Sequence, residues 1–205
     1  MNLPNKISLS RIFIVPIFML FVIPFPNVVV ESGLIHFIRP QLISFNNFIN
    51  LYGNYIAAAI FIIAASTDGV DGYIARKRQQ VTIMGKFLDP IADKLLIAAA
   101  IIALVQRNDV SAWAGMFIIS REFAVTGLRL VAAGEGIVIS ASSLGKLKTI
   151  TQIVAIAATL LKNFPLTLIV SFPFDQYVML IAVIITIYSG YDYFAKNINV
   201  LHVKK

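Results

Sequence analysis

Apolar residues run along the chain in long blocks separated by short polar ones. Residues 12–30 carry no charge, and neither do residues 40–67. Later uncharged stretches are shorter: 95–106, 110–120, 149–161, 163–174 and 176–191. A helix needs about 20 residues to cross a hydrocarbon core roughly 30 Å thick, so several spans reach full length only by including a charged residue. The pattern predicts six helices, over 8–30, 49–73, 83–105, 111–133, 145–162 and 176–196. Pro165 and Pro173 break the apolar stretch between the last two. The first block has the basic flank of a secretory signal, Lys6 and Arg11. The first alanine of the chain is Ala57, however, so no A-x-A cleavage site follows, and the block is read as a retained helix.

Composition agrees. Of 205 residues, 59% are hydrophobic and 13% charged, with a mean hydropathy of +0.84; soluble chains carry about 25% charged residues. The expected fold is therefore all-α: one polytopic integral membrane domain over residues 1–205, with six transmembrane helices. Disorder, coiled coil and collagen are excluded. The net charge of +7 suggests cytoplasmic anchoring near anionic lipid; the basic residues are too dispersed for a nucleic-acid partner. There is no cysteine, which removes disulfides, thiol catalysis and cysteine-bound metals. With the N-terminus inside, Lys6, Arg11, Arg76, Lys77, Arg78, Lys86, Arg129, Lys146, Lys148, Lys196, Lys204 and Lys205 lie on the cytoplasmic side. Only Arg39, Arg107 and Lys162 lie outside. That division follows the positive-inside rule. No internal repeat or linker is visible.

The chemistry concentrates between residues 66 and 94. Asp68 and Asp71 are three apart near the end of the second predicted helix, and Asp89 and Asp93 are four apart near the start of the third. Each pair shares a helix face. Two antiparallel helices joined by a short basic loop would bring the pairs together. Four carboxylates so close repel one another and cannot all ionise without a cation among them. Oxygen-only ligands favour a hard ion such as Mg²⁺, Mn²⁺ or Ca²⁺. Charges inside a span are costly and mark functional candidates. Gly69, Gly72 and Gly85 leave room for backbone or ligand to approach. Simple pairing with Arg76, Lys77, Lys86 and Lys94 is the plainer alternative, but it does not account for the spacing.

That spacing, Asp-x2-Asp-Gly-x2-Ala-Arg-x8-Gly-x3-Asp-x3-Asp over residues 68–93, resembles the signature of the CDP-alcohol phosphatidyltransferases at all eight positions. The six-helix plan extends the resemblance along the chain. It implies an enzyme that moves a phosphatidyl group from CDP-diacylglycerol to an alcohol and releases CMP, at a cavity facing the cytoplasm. It implies that Asp68, Asp71, Asp89 and Asp93 hold two divalent ions, Mg²⁺ or Mn²⁺, and that Asp93 is the base for the acceptor hydroxyl. Asp68, Gly72, Arg76, Thr82 and Gly85 would contact CDP-diacylglycerol. Asn5, within the family-like start Asn2–Arg11, would help hold the nucleotide, although Pro and Asn are also ordinary helix-start signals. A homodimer in the cell membrane, with membrane lipid as a partner, is implied as well.

The acceptor is read from other segments. Arg121 and Glu122 sit mid-span, where neither belongs unless it faces a polar cavity. Arg129 follows two turns later, and Lys146 and Lys148 open the fifth helix. Such cations suit a phosphorylated acceptor. The blocks Ser120-Arg121-Glu122-Phe123, Gly127-Leu128-Arg129 and Gly145-Lys146-Leu147-Lys148-Thr149 resemble family members that accept glycerol 3-phosphate. Four acceptor contacts are thus implied: Arg121, Arg129, Lys146 and Lys148. Plainer roles remain open. Arg121 and Glu122 point about 100° apart on a helix, and Lys146 and Lys148 about 200° apart, so one lysine is a candidate for lipid headgroups. Glu122 and Arg129, seven apart, nearly align as a candidate structural pair.

Tyr188, Tyr191, Tyr193 and Phe194 read as an interfacial aromatic belt, Asp192 as a cap or ion-pair partner, and His36 and His202 as solvated. Competing functions are the same family with another acceptor such as inositol phosphate, a membrane prenyltransferase, and a divalent-cation transporter. The second lacks the Gly72, Ala75-Arg76, Gly85 pattern. The third predicts acids spread through the membrane's depth, whereas these four cluster at one end.

Overall fold

A computed structural model describes residues 3–30, 37–77, 83–137, 139, 142–168 and 172–198. Within them, the side chains of residues 3–8, 29, 68–77, 83–90 and 93 lie outside the description. Every regular element among the described residues is helical: α1 Leu3–Val22, α2 Asn27–Val30, α3 Arg39–Phe48, α4 Asn54–Lys77, α5 Ile83–Gln106, α6 Ala112–Gly134, α7 Ser143–Leu160 and α8 Phe174–Asn197. Two compact units result, residues 1–103 and 104–205.

The third to sixth predicted helices match α5 to α8 within two residues at each end. The first two differ. The stretch predicted as one helix over 8–30 stops at Val22, because Pro24 and Pro26 lack the N–H that continuation requires. The amide of Asn46 closes this break, accepting from the Phe25 N–H and donating to the Phe25 carbonyl, both at 2.9 Å. The second helix begins ten residues earlier than predicted, at Arg39, with Pro40 in its first turn. It reaches α4 through a π-helical turn, Ile49–Gly53. Its polar Gln41, Asn46 and Asn47 had hidden it.

In the first unit α1 packs on α4. Val15, Phe18 and Val22 face Ala57, Ala58, Phe61 and Ala64, all buried, with the Phe18 and Phe61 rings 6.2 Å apart. Gly53 permits a close approach: a Cβ there would stand 2.4 Å from the Phe21 carbonyl oxygen.

In the second unit α8 packs on both α6 and α7. Its buried face is Met179, Ala182, Thr186, Ser189, Gly190 and Tyr193. Its exposed face carries Leu180, Ile181, Ile184, Ile187, Tyr188 and Tyr191. Soluble proteins bury isoleucine and expose polar groups; here Gln152, Thr159, Thr186 and Ser189 are buried while bulky apolar side chains face outward. That inversion suits lipid as the solvent. Among the described residues, two helical stretches are long and apolar enough to cross a bilayer, Arg39–Thr67 and Phe174–Asn197.

Polar ties join residues 107–109 to residue 162, and residue 163 to residue 175. Asp109 accepts from Lys162 and lies 3.1 Å from Arg107. Asn163 and Asp175 exchange two hydrogen bonds of 2.7 Å.

Candidate active site

The predicted site residues fall in both units. In the first, the backbones of Asp68 and Asp71 continue α4, and those of Asp89 and Asp93 lie on α5, so the helical spacing expected of each pair is present. Asn5 is on α1, Gly72 and Arg76 on α4, and Gly85 on α5. The side chains of these residues, and Thr82 altogether, lie outside the described residues. Just before Asp68, Ser66 donates to the Ile62 carbonyl at 2.7 Å and Thr67 to that of Ala64 at 2.8 Å. Both hydroxyls are thereby satisfied within their own helix, as apolar surroundings demand.

The second unit holds the predicted acceptor residues. Arg121 donates from Nη2 to Ser189 Oγ of α8 at 2.8 Å, and its Nη1 lies 3.6 Å from Glu122 Oε1. Its Nε is buried without a hydrogen-bond partner among the described residues. Arg129 donates from Nε to the Tyr193 hydroxyl at 2.8 Å, and its guanidinium carbon lies 5.2 Å from the centroid of the same ring. Glu122 also takes a bond from Lys148 Nζ, joining α6 to α7; both residues are less than 5% exposed. The two lysines separate as the helical angle predicts: Lys148 is buried and Lys146 is exposed. Ser142 caps α7 by accepting from the Gly145 N–H at 3.0 Å.

Tyr193 departs from the sequence reading. It is buried against Val125 and Leu128 rather than placed in an interfacial belt, and the exposed Arg129 of α6 gives its hydroxyl a partner. Tyr188 and Tyr191 are exposed as a belt requires, and Asp192 pairs with Lys196 at 2.7 Å. Ser189, Gly190 and Tyr193, which meet Arg121 and Arg129, were missed by the sequence reading. Their signal was small or polar residues on one face of an apolar helix, at spacings of one and four.

This arrangement can do one thing well. Ion-paired and hydrogen-bonded cations, held on an otherwise apolar helix, form a preorganised place for an anion with fixed oxygen geometry. The first unit supplies a different resource: four carboxylates at helical spacing, an all-oxygen donor set that fits a hard divalent ion.

Comparison with known proteins is consistent with both halves. The family model for CDP-alcohol phosphatidyltransferase matches residues 1–188. The CDP-diacylglycerol–glycerol-3-phosphate 3-phosphatidyltransferase of Bacillus subtilis (strain 168) is 51% identical over 197 residues, covering 96% of this chain and 95% of the relative. That of Rickettsia bellii is 34% identical over 193 residues, covering 94% and 93%. That of Wigglesworthia glossinidia brevipalpis is 32% identical over 176 residues, covering 83% and 82%. Together with the apolar exterior, the match makes this a membrane protein. The chain belongs to the CDP-alcohol phosphatidyltransferase family.

Proposed function

We propose that the protein transfers the phosphatidyl group of CDP-diacylglycerol to sn-glycerol 3-phosphate, giving phosphatidylglycerophosphate and CMP. The observation that carries this reading is the cluster of Arg121, Glu122, Lys148 and Ser189, with the exposed Arg129 on Tyr193, in an apolar helical unit. A phosphate monoester offers these cations an anionic partner, which a neutral acceptor does not. The names of relatives matched over nearly the whole chain support the same acceptor.

Asp68, Asp71, Asp89 and Asp93 are the residues that would hold Mg²⁺ or Mn²⁺, two ions in this reading. Such ions, when bound, offset charge on the diphosphate and on departing CMP. Asn5, Gly72, Arg76, Thr82 and Gly85 hold the CDP moiety. Asp93 takes the proton from the glycerol 3-phosphate hydroxyl as its oxygen bonds to the phosphatidyl phosphorus and the bond to CMP breaks. Arg121 and Arg129 bind the acceptor phosphate, with Lys146 at the mouth and Lys148 adding charge from behind Glu122. The family match crosses the boundary between the two units, so residues 1–205 are read as one functional domain. Its six long helices are read as six spans, with the N-terminus and active-site cavity on the cytoplasmic side of the cell membrane, in a homodimer.

The test is an acceptor screen with purified protein in detergent, following CMP release from CDP-diacylglycerol with Mg²⁺ or Mn²⁺. Glycerol 3-phosphate, inositol, inositol phosphate and serine are offered separately. Release with glycerol 3-phosphate alone is expected. Release with another alcohol instead would overturn the acceptor assignment, and no release with any would overturn the reaction.

A further inference from the structure

We propose that Gly190 is a positioning residue for the acceptor phosphate: its missing side chain lets the Arg121 stem lie flat against α8, at the depth where Ser189 can hold the guanidinium. The inference rests on Arg121 being an acceptor contact.

A Cβ at position 190 would stand 3.0 Å from Arg121 Cγ and 3.9 Å from Arg121 Nε. The nearer atom is not the free end of a flexible chain. Cγ is tied on one side to the α6 backbone and on the other to a guanidinium bonded to Ser189 Oγ at 2.8 Å. Ser189 itself is fully buried, so it cannot follow a displaced arginine. A shift of a few tenths of an ångström at Cγ is magnified at the guanidinium, where hydrogen-bond strength falls steeply with angle.

Orientation matters because of which donors it leaves. Nε is buried close to Gly190 and has no partner among the described residues. The side-on edge of the guanidinium, Nε with Nη2, is therefore turned to α8 and closed. The end-on edge of Nη1 and Nη2 remains, with Nη1 3.6 Å from Glu122 Oε1, and an anion is met there. Glycine at 190 and serine at 189 together choose that edge, which a bidentate phosphate contact depends on.

The experiment compares full-length Gly190→Ala, Ser189→Ala and Arg121→Ala, and each of the first two combined with Arg121→Ala, in detergent by CMP release. For Gly190→Ala the KM for glycerol 3-phosphate should rise about tenfold. Its kcat at saturation and its KM for CDP-diacylglycerol should stay within about twofold, since the donor contacts are untouched. Ser189→Ala should raise the same KM by a smaller factor. Neither substitution should add to Arg121→Ala, because both act through that side chain. Additive effects, or equal losses toward both substrates, would overturn the inference. Should Gly190→Ala not fold, Ser189→Ala with its double variant decides by the same criterion. If Arg121→Ala raises the KM but neither partner substitution does, the inference alone fails. If Arg121→Ala leaves that KM unchanged, the acceptor reading beneath it fails too.

Discussion

Glu122 carries more of the second unit than its single charge suggests, since it meets Lys148 from α7 and lies 3.6 Å from Arg121 on its own helix. Removing one partner of a buried pair leaves the other charged without compensation, typically at a cost of 3–5 kcal/mol. Glu122→Gln should therefore lower stability by about that amount, read as the midpoint of thermal unfolding in detergent. Adding Lys148→Met should recover more than half of the loss; no recovery would mean that Lys148 does not depend on Glu122. Arg121→Ala should raise the KM for glycerol 3-phosphate by about tenfold or more while sparing that for CDP-diacylglycerol, as loss of a charge-assisted contact predicts. Asp93→Asn should abolish CMP release yet leave CDP-diacylglycerol binding nearly intact, measurable by displacement of labelled CDP; normal turnover would remove Asp93 as the base.

Helices are where sequence and structure can be weighed against each other. The predicted segments over 83–105, 111–133, 145–162 and 176–196 were legible because charge and proline mark their ends, and α5 to α8 match them. The break at Pro24 and Pro26 was legible in principle, but an uninterrupted uncharged run outweighed two prolines. The early start at Arg39 was not, because Gln41, Asn46 and Asn47 look like a loop until Asn46 is seen bonding Phe25. The Asp spacing could be read directly, since helical period places i,i+3 and i,i+4 together. Tertiary partners could not: nothing in the order of residues says that Arg129 meets Tyr193 sixty-four positions away. The close contact of α1 with the π-helical turn at Gly53 belongs to this level. Gly53→Ala would drive a methyl to 2.4 Å from the Phe21 carbonyl oxygen, so α1 and the turn must part. An overpacking cost of about 1–3 kcal/mol is expected, visible as faster thermal inactivation; an unchanged rate would mean that the helices yield freely.

At the scale of the molecule, bulky apolar side chains cover much of the described exterior, as lipid surroundings require. Because the chain has no cysteine, single introduced thiols report on orientation without background. Lys196→Cys should react with a membrane-impermeant maleimide only from the cytoplasmic side, and Phe172→Cys only from the opposite side. The reverse pattern would invert the proposed topology. The way α6 is satisfied also bears on how the chain is made. Arg121 and Glu122 leave the ribosome before Lys148, and well before Ser189 and Tyr193, which later give α6 its partners. An arginine at mid-helix disfavours insertion by about 2.5–3.5 kcal/mol on translocon scales. While synthesis has reached only the end of α6, that helix is therefore a poor membrane segment by itself. If α6 spans the membrane as proposed, its stable insertion should depend on α7 and α8, and chains cut short before α8 should be degraded faster than the full-length protein in a pulse-chase experiment.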